Sequence, residues 1–123
     1  MHKPHVILFD LDTLRSDHLG CYGYFRDTSP TIDRLAREGV VFRDMHASGV
    51  ATGPGQTSMI TGLAPISHHF YLTPYNLPNV IDFDDDIPTL PELIQDTVDG
   101  VTTAAFDNLI NFKSHIDQFV RGY

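Results

Sequence analysis

The sequence predicts an α/β fold with a mostly parallel sheet, and three observations carry that prediction. A short apolar run from His5 to Leu11 closes on acids, two further apolar runs begin at Val40 and Val101, and segments with helical spacing lie between them. Strands alternating with helices are the pattern of sheets built through crossover connections. The first run has no polar face, as expected of a strand covered on both sides.

Each element has a local reason. His5 to Leu11 (HVILFDL) reads as a buried parallel strand, and the polar, glycine-containing stretch from Thr13 to Asp27 reads as loop. Thr28-Ser29-Pro30 offers a hydroxyl cap and then proline at a first helical position, Ile32, Leu35 and Ala36 recur at helical spacing, and Gly39 supplies the stop, so a helix is expected over about residues 30 to 38. Val40-Val41-Phe42 opens a second strand running towards Ala47. Small residues fill Ser48 to Gly55, and Gln56 to Thr61 reads as a short helix closed by Gly62. Leu63 to Pro88, with Pro65, Pro74, Pro78 and the acidic run Asp82 to Asp86, reads as a long surface excursion, which is more often functional than idle. Thr89-Leu90-Pro91-Glu92 caps a third helix to about Asp99, Gly100 ends it, and Val101 to Phe106 reads as a third strand. Three strands make a meagre parallel sheet, so the expectation is part of a larger domain.

Composition narrows the functional classes. The 123 residues suffice for one modest core, and a hydrophobic fraction of 41% excludes general disorder. A net charge of -8 argues against a nucleic-acid partner, which needs a basic face. It leaves an anionic substrate open, because a bound cation reverses the local field. The single cysteine, Cys21, forbids an internal disulfide and lacks an activating neighbour, so a packed thiol is expected. No apolar stretch is long enough to span a membrane, and no secretory pattern opens the chain, so a cytoplasmic location is the expectation.

Three groups of residues could carry chemistry. Asp10 and Asp12 close the first expected strand, where ligands of open α/β sheets sit, and residues two apart on a strand share a face. Paired carboxylates there suit a divalent cation, although acids also simply cap the following loop. Thr52, in Thr52-Gly53-Pro54-Gly55-Gln56-Thr57-Ser58, stands just before an expected helix start. The positive end of the helix dipole favours anions there, and a metal or base would make the hydroxyl a nucleophile; an ordinary Thr cap is the bland alternative. His68 and His69 follow that helix, and either could protonate a leaving group or contact an anion, or be a plain surface histidine.

Taken in order, these blocks resemble the sulfatases of the alkaline phosphatase superfamily. His5 to Gly23 (HVILFDLDTLRSDHLGCYG) resembles their opening, and Thr28 to Phe42 (TSPTIDRLAREGVVF) continues it. Thr52 to Gly62 (TGPGQTSMITG) looks like their signature helix, and Pro65 to His68 is similar to the Pro-x-x-His that follows. The resemblance covers nearly the whole chain. It implies a partial three-layer α/β/α fold, with residues 1–123 as the N-terminal part of a catalytic domain whose remainder lies downstream. It implies a small anionic ester as substrate, Asp12 as a metal ligand, Thr52 as nucleophile and ligand to the same metal, and His68 near the anion; Asp10 is not a ligand position in the usual pattern and stays the weaker metal candidate. The implied divalent ion is calcium, magnesium, manganese or zinc, which the residues do not distinguish.

The departures from the family's pattern matter equally. Thr13 stands where an acid often follows the first metal-binding aspartate, Thr52 where sulfatases carry the cysteine or serine that becomes formylglycine, and Gln56 where they carry an arginine. Threonine is not a substrate for that modification, so formylglycine is not expected at position 52. Superfamily phosphodiesterases use an unmodified Thr or Ser, which Thr52 would suit. A degenerate, non-catalytic homologue is a further alternative. Another is a haloacid-dehalogenase-type phosphatase using Asp10, whose motif carries one more residue before the threonine than Phe9-Asp10-Leu11-Asp12-Thr13 does. The fragment alone is expected to be inactive.

Overall fold

A computed structural model describes residues 4–71, 84–106 and 121–123 of the chain. It comprises two compact units, Met1–His46 and Ala47–Tyr123.

In the first unit, the apolar run forms no ladder. Val6 is 87% exposed and Phe9 77%, and residues 4–14 are exposed throughout. The expected strands at His5–Leu11, Val40–Ala47 and Val101–Phe106 likewise carry no strand structure, so no sheet forms among the described residues. The physical reason is that a parallel strand has no local partner: its ladder bonds come from segments a crossover away. High β-propensity without a neighbouring strand leaves the backbone unpaired.

A tight turn follows. The Leu14 N–H donates to the Leu11 carbonyl at 3.2 Å, which puts Asp12 and Thr13 at its centre. Thr13 lies in the left-handed region, at φ 62°. A β-branched residue pays a steric cost there that glycine or asparagine largely escapes. Beyond the turn, Arg15 forks onto Asp17, with Nε on Oδ1 at 2.9 Å and Nη2 on Oδ2 at 2.6 Å. Two 3-10 turns, Ser16–His18 and Gly20–Tyr22, complete the loop.

Helix α1, Pro30–Glu38, matches the expected span. Its N-cap Ser29 makes no side-chain cap bond; the hydroxyl instead donates to Asp33 Oδ2 at 3.0 Å and accepts the Gly20 N–H at 3.0 Å. Asp33 Oδ1 takes the Cys21 N–H at 2.7 Å. The first turn of α1 is therefore spent on holding the loop before it. The apolar face is only partly covered, with Leu35 55% exposed.

The second unit contains α2 (Thr52–Thr61), α3 (Pro65–His68) and α4 (Leu90–Thr97). Its buried core is Ile60 and Phe70, with Ile87 packed against them. Helix α4 opens with the expected capping box: the Thr89 N–H donates to Glu92 Oε2 at 2.7 Å, and Thr89 Oγ1 accepts the Glu92 N–H at 3.5 Å. The Thr89 N–H on the carboxylate, and then Arg121, whose Nε reaches Glu92 Oε1 at 3.0 Å, hold the Glu92 carboxyl below its ordinary range. Residues 72–83, which include much of the expected surface excursion, and residues 107–120 lie outside the described residues. None of the described helices is long and apolar enough to cross a membrane.

Replacing Thr13 with Asn relieves the left-handed strain. The expected result is a gain of about 1 kcal/mol, read as a rise of a few degrees in thermal midpoint. An unchanged or lowered midpoint would show that the turn is not strained at this residue.

Candidate active site

The site is built around α2. The sequence places its start at Gln56, after the small-residue segment Ser48 to Gly55; the helix begins four residues earlier, at Thr52. Pro54 falls at the third helical position, where its missing N–H is one of the first-turn donors that have no intrahelical partner in any case. The Gly55 N–H closes the turn on the Ala51 carbonyl at 3.0 Å. Thr52 is therefore the first residue of the helix, and the N-cap is Ala51, which has no side-chain oxygen to offer the first-turn amides. An N-terminus of this kind is suited to a bound anion.

Small residues let this turn pack tightly. A Cβ on Gly53 would stand 2.5 Å from Phe70 Cε1, so only glycine lets the buried ring lie against the turn. Gly53, Pro54, Thr57, Ser58 and Ile60 are all buried. The hydroxyl of Thr57 is the exception to good satisfaction: the residue is fully buried and Oγ1 has no hydrogen-bond partner. A buried orphan hydroxyl costs about 1–3 kcal/mol.

His68 lies at the end of α3 and is 0% exposed. Its Nδ1 accepts the Phe70 N–H at 3.1 Å, which places the ring proton on Nε2. Nε2 then donates to Ser58 Oγ at 3.0 Å. The direction matters, because an imidazole that donates to a serine cannot take the serine's proton. Ser58 and His68 form a structural tie and not a nucleophile–base pair. Burial pushes the imidazole below its ordinary value, and neighbouring His69 adds to this against backbone hydrogen bonds that favour the charged ring. His69 itself is exposed and closes α3 at φ 58°.

The expected site residues divide between the two units. Thr52 and His68 both belong to the α2–α3 pair of the second unit, whereas Asp10 and Asp12 are exposed in the first. Among the described residues, no three His, Cys, Asp or Glu side chains are grouped as a metal would need. Two carboxylates alone fall short of the six or more oxygens of calcium and the four ligands of zinc. By themselves the described residues do not form a complete metal site. Thr57 and Ser58 were missed by sequence reasoning, and their signal was their place one helical turn after Gly53 and Pro54.

A helix that opens on a hydroxyl, is buried along one side and ends at Gly62 is followed by a Pro-x-x-His turn, in the order of the sulfatase blocks. The sulfatase family model matches residues 4–121, and the chain belongs to the sulfatase family. That membership implies an alkaline-phosphatase-like α/β fold. The chain is 26% identical to human N-acetylgalactosamine-6-sulfatase over 113 residues, 92% of this chain and 22% of that protein. It is 36% identical over 63 residues to an N-acetylgalactosamine-6-O-sulfatase of Bacteroides thetaiotaomicron, 51% of this chain and 12% of that one. Against human arylsulfatase A the figures are 32% over 68 residues, 55% and 13%. The chain thus spans about a fifth or less of the length of these curated relatives. No solved structure matches it significantly.

Two predictions test this packing. Thr57→Val, which keeps the shape and removes the orphan hydroxyl, should raise stability by about 1 kcal/mol in urea unfolding. For His68 the depressed folded value means that the unfolded chain binds more protons in the window between that value and the ordinary one above it. Its contribution is complete above the unfolded value of about 6.5 and is lost as pH falls from there through the folded value. His68→Gln should flatten that part of the stability–pH profile; a profile identical to wild type would rule out a buried neutral imidazole.

Proposed function

We propose that this chain contributes the nucleophile-bearing part of a metal-dependent hydrolase of sulfate or phosphate esters, with unmodified Thr52 as nucleophile. The supporting observation is the position of Thr52 as the first residue of α2, beside an N-cap that carries no capping oxygen. Thr52 Oγ would attack the sulfur or phosphorus in line and lose its proton to water, and the ester oxygen would leave opposite it and take a proton from water to become the alcohol. A second water would cleave the covalent intermediate to free Thr52 and the inorganic anion. Negative charge that develops on the transferring group would face the positive end of α2. Pro54 has no N–H, so fewer amides are available there than in an ordinary first turn. Asp12 and Asp10 would supply part of the ligand set for a divalent cation, and the remainder would come from outside residues 1–123. His68 would serve as a positioning residue that fixes α2 from within. The substrate would be a small anionic ester; the names of the relatives point to sulfated N-acetylhexosamines.

A second reading, a degenerate homologue that binds without turnover, is favoured by Thr13, Thr52 and Gln56, which stand where the sulfatase pattern has other residues.

One comparison separates the readings. The 123-residue chain with added metal should show no hydrolysis of aryl sulfate or aryl phosphate esters. A polypeptide extended to the length of the relatives should turn over one of them, fall by about a thousandfold or more as Thr52→Ala, and keep activity as Thr52→Ser. Full activity in the alanine variant would remove Thr52 from the chemistry. An extended protein that neither binds metal nor hydrolyses either ester would establish the degenerate reading.

A further inference from the structure

Three of the five arginines of the first unit have partners. Arg15 is paired with Asp17, and Arg34 lies 3.9 Å from Glu38. Arg26 stacks on the Phe25 ring, 5.2 Å from its centroid. Among the described residues Arg37 and Arg43 are the two arginines with no hydrogen bond, ion pair or ring contact, and both line the same cavity. In a chain of net charge -8, two unpaired guanidinium groups on one cavity are not a matter of general surface composition.

The cavity has a volume of about 390 Å³, at the small end of the range for ligand sites. Its floor is Cys21, Ala36 and Val41. Asp33 is the one carboxylate on the wall, and its charge is already engaged: Oδ1 accepts the Cys21 N–H and Oδ2 accepts the Ser29 hydroxyl. A Cβ at Gly20 would collide with that same carboxylate, so the glycine is needed for the wall to close. The Tyr22 hydroxyl donates to the Phe42 carbonyl at 2.7 Å and ties the loop to the segment that carries Arg43. The walls are thus braced by hydrogen bonds while the two cationic groups have none.

We infer that this cavity is an anion site, in which Arg37 and Arg43 hold a sulfate, phosphate or carboxylate group. Guanidinium groups present forked donors that match such oxyanions, and the apolar floor accommodates the body of a small ligand. The site involves neither Thr52 nor Asp12 and does not rest on the proposed hydrolase activity.

Inorganic sulfate is the first probe, followed by chemical shifts of the arginine Nε–H groups and backbone amides in the ¹⁵N-labelled chain. The expected result is saturable shifts at Arg37, Arg43 and Cys21, weakened by added sodium chloride. Arg37→Ala and Arg43→Ala should each weaken binding at least tenfold, with Arg26→Ala unchanged. Both variants alter exposed, unpaired side chains, and the wild-type shift map stands even if one of them misfolds. N-acetylgalactosamine 6-sulfate as a second probe identifies the source: tighter binding than inorganic sulfate marks a sulfated saccharide, and equal binding marks a free anion. Non-saturating shifts spread evenly over Arg15, Arg26 and Arg34 would overturn the site, as would unchanged affinity in Arg37→Ala.

Discussion

The buried tie from Ser58 through His68 to the Phe70 amide is the interaction on which the geometry of α2 depends. Both nitrogens of a fully buried imidazole are satisfied, so ring, helix and following turn can move only together. Phe70 lies over Gly53 by the same closure, one residue from Thr52. Gly53, Pro54, Thr57 and Ser58 on the buried side are small, and this lets a ring and an imidazole approach the helix backbone. If Thr52 is the nucleophile proposed above, it would need support of this kind, because a nucleophile held loosely by about an ångström loses much of its rate. The direction of the hydrogen bond also decides the chemistry: with the proton on Nε2, His68 stabilises the fold and leaves Ser58 without a base.

Two units of unlike character follow from where hydrogen bonds can be made locally. In the second unit, the capping box at Thr89–Glu92 is reinforced by Arg121, whose Nη2 also reaches the carbonyls of Asp85 at 2.9 Å and Ile87 at 3.1 Å. One cation thereby gathers the acidic turn and the start of α4. In the first unit, the hydrogen bonds concentrate between the loop at 20–22 and the first turn of α1, while residues 4–14 remain exposed. Exposed Val6, Ile7, Leu8 and Phe9 side by side form an apolar run with strong β-propensity, the kind that seeks a strand partner.

What the sequence revealed depended on whether the causes were local. Helices α1 and α4 were legible because proline at a first position and a capping box act within one turn. The end of α4, at Thr97 against an expected Asp99, differs by fraying distance. The start of α2 was placed four residues late, because the small residues up to Gly55 read as a segment before the helix, although first-turn amides have no partner to lose. The strands were legible as apolar runs, yet pairing is non-local and the pattern does not supply it. At the site, Thr52 was located by the small residues around it, but the tautomer and burial of His68 could be read only once Phe70 had folded back on it. The sulfatase resemblance rested on ordered blocks, and the family match over residues 4–121 bears it out.

Under the proposed reading, the substitutions at the site carry an electrostatic consequence. Gln56 lies four residues after Thr52, on the same face of the helix, where the sulfatase pattern has arginine. A neutral amide donates hydrogen bonds worth about 0.5–1.5 kcal/mol, against about 1.5–3 kcal/mol when a charged group takes part, and it adds no charge. Pro54 removes one amide donor from the same turn. Both changes reduce the capacity of α2 to stabilise a highly charged transition state. A sulfate ester or a phosphodiester carries a single negative charge, and a phosphate monoester at neutral pH carries nearly two. On that reading the site on α2 would suit the singly charged esters better. Threonine adds a constraint of its own, because its branched Cβ restricts the rotamers open to Oγ in a helix and narrows the directions of attack.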